Sequence, residues 1–223
     1  DVMNGQREVI YKKRRHALFG DRLSIDIANM FYDSIEALVE EFSDLQDAEG
    51  LSLEILRLSG MQIDIAPEDL KNKNIDELTN EVFQTVYTQY KAKCKYIAEK
   101  VSIVINNVAE NQPQYKNIII PITDGKKQRN VIANIAKCVE NPLVEIPIAI
   151  EKSTVLGYID EEWKEHLREM DDLKQSVQNV VYEQKDPLLI YKLESFELFK
   201  GMIQRTNKEV VSFLLRGTLP MSA

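Results

Sequence analysis

At 223 residues, with 44% hydrophobic and 29% charged residues, eight glycines and seven prolines, the chain is long enough to bury a core and carries no fibrous or low-complexity bias. Its net charge of -8 sets it against phosphate backbones except where cations gather, and Arg7 with Lys12, Lys13, Arg14 and Arg15 is the one such gathering. Two cysteines, Cys94 and Cys138, in no C-x-x-C pair exclude a disulfide framework or zinc knuckle and suit a reducing cytoplasm, while no apolar run nears the about 20 residues of a membrane span.

In chain order, Val2, Met3, Gln6, Val9, Ile10 and Lys13 fall at helical spacing and predict a helix from Val2 to Phe19, stopped at Gly20. It opens abruptly behind Asp1, as expected of a segment excised from a longer protein. With Asp21 or Ser24 as N-cap, Ile27, Phe31, Ile35, Leu38, Val39 and Phe42 then define an amphipathic helix. A short apolar helix around Leu51 to Leu58 breaks at Gly60, and Pro67 suits another first turn. Behind an Asn74 cap, the stripe from Leu78 through Tyr90, Cys94, Val101 and Ile105 predicts one long helix from Ile75 to Ala109.

The pattern then changes. Tyr115 to Thr123 is rich in isoleucine and runs into Asp124-Gly125, so a small β-hairpin is expected, with a second strand from Val131 to Ile135 and a further turn at Asn141-Pro142. From about Ile150 to Val181 the positions Leu156, Ile159, Trp163, Leu167, Met170, Leu173, Val177 and Val180 keep a three-four rhythm. After Tyr182 to Pro187, Leu189, Leu193, Phe196, Phe199, Ile203, Val210, Phe213 and Leu214 repeat it as far as Arg216-Gly217. These stripes predict an antiparallel helical hairpin whose faces bury each other, its second helix capped by Asp186. The fold class is mainly α with one small β insertion.

Sites of chemistry are sparse. Gly125-Lys126-Lys127 lacks both the earlier glycine and the hydroxyl of a phosphate-binding loop. Glu162, Glu165, His166 and Glu169 offer one half of a carboxylate-histidine metal site, but His16 is the only other histidine and the second half is missing. Neither cysteine has a histidine beside it, and no serine sits in a Gly-x-Ser-x-Gly elbow. The residues thus indicate no catalytic group and no metal ligand set. Without aromatic platforms, the run Lys12 to Arg15 reads as a solvated face or a contact with another domain rather than as a nucleic-acid site. Tyr182, in the turn of the hairpin, either packs on the adjoining helix or presents an amphipathic surface to a partner.

Two stretches carry a family resemblance. Asp160-Glu-Glu-Trp-Lys-Glu-His-Leu-Arg-Glu-Met-Asp-Asp-Leu, followed by Val181-Tyr-Glu-Gln-Lys-Asp-Pro-Leu and Tyr191-Lys, resembles the two-helix finger of SecA-type protein-translocation motors. Val2-Met-Asn-Gly-Gln-Arg-Glu-Val-Ile-Tyr resembles that family's long scaffold helix. The resemblance covers residues 1 to 20 and 144 to 216 strongly and the region between them by position.

It implies three segments: a first scaffold part over 1–20, a helical wing over 21–143, and a second scaffold part with the finger over 144–223. In this family ATP hydrolysis between two RecA-like domains drives a polypeptide through the SecY channel, the finger tip touches that polypeptide, and the finger restrains ATP turnover in the resting motor. Carried across, Tyr182 with Val181, Glu183, Gln184 and Lys185 forms the polypeptide-contacting tip. Trp163, Leu167, Met170, Phe196 and Phe199 pack the finger, and Gln6, Arg7, Lys12, Arg14 and Arg15 face the motor domains. The implied partners are the parent's nucleotide-binding domains, the SecY channel, unfolded preprotein and, through the parent, an anionic membrane surface, with no nucleic acid. The implied place is the cytoplasmic face of the bacterial plasma membrane, held peripherally. ATP and magnesium belong to the parent motor and this piece needs no cofactor. Two departures stand out: Asn179-Val-Val-Tyr replaces a Leu-Arg-Gly-Tyr-like approach to the tip, and the β-hairpin interrupts a wing expected to be helical. A free-standing helical interaction module is the competing reading.

Overall fold

A computed structural model describes residues 2–20, 22–179 and 186–220. Its elements are α1 (Val2–Phe19), α2 (Leu23–Leu45), α3 (Ala48–Ser59), α4 (Pro67–Asn72), α5 (Ile75–Asn111), β1 (Asn117–Thr123), β2 (Gln128–Asn134), α6 (Ile135–Glu140), α7 (Pro142–Asn179) and α8 (Pro187–Arg216). The mainly helical class with one two-stranded antiparallel hairpin is thus the fold.

Local chemistry sets most boundaries. Gly20, at φ 77°, ends α1 in the left-handed region that glycine occupies without steric cost, its N–H donating to the His16 carbonyl. Asn74 and Glu77 form a reciprocal capping box on α5, and the Asp186 carboxylate accepts from the Leu188 N–H ahead of Pro187. Other boundaries depart from expectation. The α2 N-cap is Arg22, which makes no side-chain cap; Ser24 lies inside the helix and Asp21 is outside the described residues. The second strand ends at Asn134, whose side chain accepts from the Lys137 N–H and starts α6, so Ile135 is helical. The hairpin loop is the four residues 124–127, where the Asp124 carboxylate gathers the Lys126 and Lys127 N–H groups. Asn141-Pro142 is a helix start, and α7 begins eight residues before Ile150. Pro147 in its second turn removes one N–H, and buried Ile146 and Ile150 hold that turn on the core.

One continuous core runs from Ile10 in α1 to Leu215 in α8 and crosses both expected segment boundaries. Helix α2 presents Ile27, Phe31, Ile35 and Val39, all fully buried, to α5, where Tyr90 and half-buried Tyr87 meet Phe31 at ring separations of 5.0 and 5.6 Å. The hairpin lays Ile120, Ile122, Val131 and Ala133 inward and leaves Ile119 and Ile132 outward, as the period of two requires. Arg129 of β2 crosses α7 at Gly157, where a Cβ would collide with the guanidinium, stacks 4.1 Å from the Tyr158 ring centre and bonds Glu161 at 3.0 Å.

Buried polar contacts join the long helices. On α5, the Tyr90 hydroxyl donates to Glu151 of α7 at 2.7 Å, and burial raises the Glu151 carboxyl above the ordinary carboxylate range. Lys93 donates to the carbonyls of Leu214, Leu215 and Gly217 at 2.6, 2.6 and 2.8 Å, closing the negative end of α8. Thr218 then pairs with Thr123 of β1 through two backbone hydrogen bonds, which ties the hairpin to the same place. Burial pushes the Lys93 ammonium down to about 8, leaving it charged at neutral pH. Lys93→Met keeps most of the stem and deletes the donors, so it should lower the unfolding free energy by about 2–3 kcal/mol, read as a lower urea midpoint at unchanged slope.

Candidate functional site: the joint between α1 and the helical hairpin

Helices α7 and α8 run antiparallel: Arg205 lies against Glu162 and Glu169, and Ile190, Tyr191 and Leu198 pack around Met170, Leu173 and Val177. Helix α1 runs antiparallel to α7 along the pair. Met3 joins the Met170 cluster, Gln6 meets His166, Arg14 bonds Asp160 at 3.0 Å, and Lys152 donates to the Leu18 carbonyl at the far end.

The centre of this three-helix arrangement is polar and closed to solvent. His166 is wholly buried, its ring 5.5 Å from that of Trp163 and 5.6 Å from that of Phe199. The Gln6 amide nitrogen donates to the Ser195 carbonyl at 3.0 Å, so its oxygen faces His166 Nε2 at 2.9 Å and accepts a hydrogen bond from the Nε2–H. That fixes the tautomer: Nε2 carries the hydrogen and Nδ1 does not. Nδ1 has no hydrogen-bond partner, because Arg205 holds both Glu169 oxygens at 3.2 Å and the nearer of them stays 3.8 Å from the ring. One glutamine thus links side chain to side chain on α7 and side chain to backbone on α8.

The structure brings some expected site residues together and separates others. Trp163 and Phe199 flank His166, and Met170 is buried farther along the hairpin. Leu167 is half-buried. Phe196, expected to pack the finger, is 62% exposed, and Leu189 and Leu193 are also exposed; the face of α8 turned to α7 carries Tyr191, Ser195, Leu198 and Met202 instead. The exposed row borders a shallow cleft of about 850 Å³ that Leu173 and Leu198 help to line. Of the residues expected to meet motor domains, Gln6 is turned inward and Arg14 is paired with Asp160, while Arg7, Lys12 and Arg15 are exposed. The tip residues Val181, Tyr182, Glu183, Gln184 and Lys185 lie outside the described residues.

Sequence reading weighed His166 with its neighbouring glutamates as half a metal site and missed its tie to Gln6. Among the described residues no group of three or more histidines, cysteines or carboxylates is placed to hold a metal, and Glu162 and Glu169 are engaged by Arg205, Glu165 by Arg168. A signal was present: Gln6 stands in the apolar stripe of α1 between Met3 and Ile10.

The model of the SecA wing and scaffold domain matches residues 1–218. The chain belongs to the SecA wing and scaffold family. Protein translocase subunit SecA of Porphyromonas gingivalis W83 is 45% identical over 222 residues, 99% of this chain. The SecA of Azobacteroides pseudotrichonymphae is 47% identical over 220 residues, and that of Bacteroides fragilis 44% over 223. The chain spans about a fifth of the length of these curated relatives (20% of each). Among the described residues no helix of this SecA wing and scaffold unit is long and apolar enough to cross a membrane.

Burial holds His166 neutral, below the ordinary histidine value near 6.5, with the Arg205 guanidinium acting in the same direction and Glu169 against it. The unfolded chain therefore takes up a proton in a range where the folded chain does not, and stability falls as pH drops from about 6.5. His166→Gln should flatten this loss relative to the parent chain between about pH 6.5 and 5, measured as unfolding free energy at each pH.

Proposed function

We propose that this chain is the scaffold and wing portion of an ATP-driven SecA motor for protein export through the SecY channel. In this reading the α7–α8 hairpin is the two-helix finger, whose tip touches the moving polypeptide and whose position restrains ATP turnover. The observation that carries it is the buried joint at Gln6, His166 and Ser195, which fixes the finger to α1 at a point well short of its tip. Displacement imposed on α1 by nucleotide-binding domains would pass to α7 through this joint, through Arg14 and Asp160, and through Lys152 and the end of α1.

Helix length suits the role. At about 1.5 Å per residue, α7 is about 57 Å long and α8 about 45 Å, enough to carry motion from a motor core to a channel mouth. Arg7, Lys12 and Arg15 are available on the outer side of α1 for contact with the motor domains, in contrast to Gln6 and Arg14. The exposed row Leu189, Leu193 and Phe196 gives the finger an apolar outer face for the channel or an unfolded chain. The tip itself is assigned to Tyr182 with Val181, Glu183, Gln184 and Lys185, where the tyrosine ring and hydroxyl grip many sequences without reading one.

Two measurements test this. Added in trans to the remaining motor domains, the chain should suppress ATP turnover, and a Gln6→Ala, His166→Ala double variant, which unpins the finger, should suppress it less; no binding and no effect would leave a helical interaction module as the better account. In a full-length motor, Tyr182→Ala should leave folding intact and slow translocation several-fold, whereas undiminished translocation would overturn the tip assignment.

A further inference from the structure

Between α2 and the middle of α8 lies an open groove of about 910 Å³, at the upper end of the about 300–1,000 Å³ typical of ligand clefts. Its floor is apolar: Leu38 and Leu58 are buried, Phe199 and Ile203 half-buried, and Phe196 stands exposed at its edge. The α2 wall carries Asp33, Glu36, Glu40, Glu41 and Asp44. These five carboxylates outnumber the two lysines opposite, Lys200 and Lys208, and none of the seven makes an ion pair among the described residues.

Some carboxylates on facing helices are matched, as Glu162 and Glu169 are by Arg205, or Asp160 by Arg14. Along the groove they crowd one another: burial together with Glu40, Asp33 and Asp76 raises the Glu36 carboxyl. The Ser34 hydroxyl oxygen, shielded from solvent in the same wall, has no hydrogen-bond partner. Asp33, Glu36, Glu40 and Asp44 follow one another at three- and four-residue steps, a row of like charge along one helix face about 16 Å long beside an apolar floor. A helix with basic residues at the same spacing and apolar residues beside them complements both features at once.

We propose that this groove docks a basic amphipathic segment of a partner polypeptide, with its apolar side chains on Phe199 and Ile203 and its cations against Glu40, Glu41 and Asp44. The site is separate from the finger tip, and its test requires neither channel nor ATP.

The probe is a fluorescent peptide of about fourteen residues carrying leucines and lysines at helical spacing, titrated with the full chain and followed by anisotropy. Saturable binding should weaken about fivefold or more in Glu40→Gln with Asp44→Asn, weaken with added salt, and be lost when the peptide's leucines become serines or its lysines glutamates. Glu40 and Asp44 are exposed and unpaired, so the double variant should keep its helical circular dichroism. Glu194→Gln, on α8 outside the groove, should bind as the parent chain does. Affinity unchanged in the groove variant, an equal loss in Glu194→Gln, or undiminished binding of the serine peptide would each overturn the proposal. A failure of ATPase suppression in trans with peptide binding intact would count against the motor reading alone.

Discussion

Two long helices laid against each other leave most of their circumference unburied, and the constraint on this fold is what covers the remainder at the root of the hairpin. Helix α1 supplies that cover, and at its buried centre one glutamine bonds a histidine on one helix and a carbonyl on the other. An apolar side chain at position 6 would bury as well but would strand the buried His166 ring N–H, an unmet polar group costing about 1–3 kcal/mol, while the Ser195 carbonyl would keep its helical hydrogen bond. The polar chain therefore sets register as well as proximity: one-turn slips of α1 along the hairpin would leave the His166 ring hydrogen without a partner.

The same device recurs where α5 meets the helical hairpin. Tyr90 and Lys93, one turn apart on α5, reach to α7 and to the end of α8, so α5 is placed against both hairpin helices by directional contacts within a generally apolar interface. The core is continuous through all three expected segments, and the β-hairpin closes it through Thr218 and Arg129. Apolar packing supplies the bulk of the attraction; these few bonds decide which of many similar packings is adopted.

What could be read from the sequence was what is locally determined. The caps Asn74 and Asp186, the prolines behind helix starts, the stop at Gly20 and the strand alternation all follow from side chains within a few residues of the backbone they act on. Periodicity identified the apolar faces of α2 and α5 correctly because the residues buried on each recur at three- and four-residue steps. It misplaced Leu189, Leu193 and Phe196 because a stripe reports that a face is apolar and not what lies against it. Gln6 and His166 stand 160 positions apart, and nothing in the chemistry of either announces the other. The start of α7 was hidden for the opposite reason: Asn141-Pro142 reads as a turn, and the burial of Ile146 and Ile150 on either side of Pro147 makes a helix there favourable.

The distribution of contacts along the hairpin makes it a beam clamped at one end. Around His166 three helices interlock through hydrogen bonds and ring contacts; beyond it, among the described residues, Arg205 with Glu169 and the small cluster of Met170, Leu173 and Val177, joined by Met3 of α1, hold α7 and α8 together. The thirteen residue-to-residue steps from His166 to Asn179 form an arm of about 20 Å, so a tilt of about 10° at the clamp sweeps its described end through about 3.5 Å. A shift too small to break a hydrogen bond at the root becomes, at the far end, a step comparable to the rise of one residue in an extended chain.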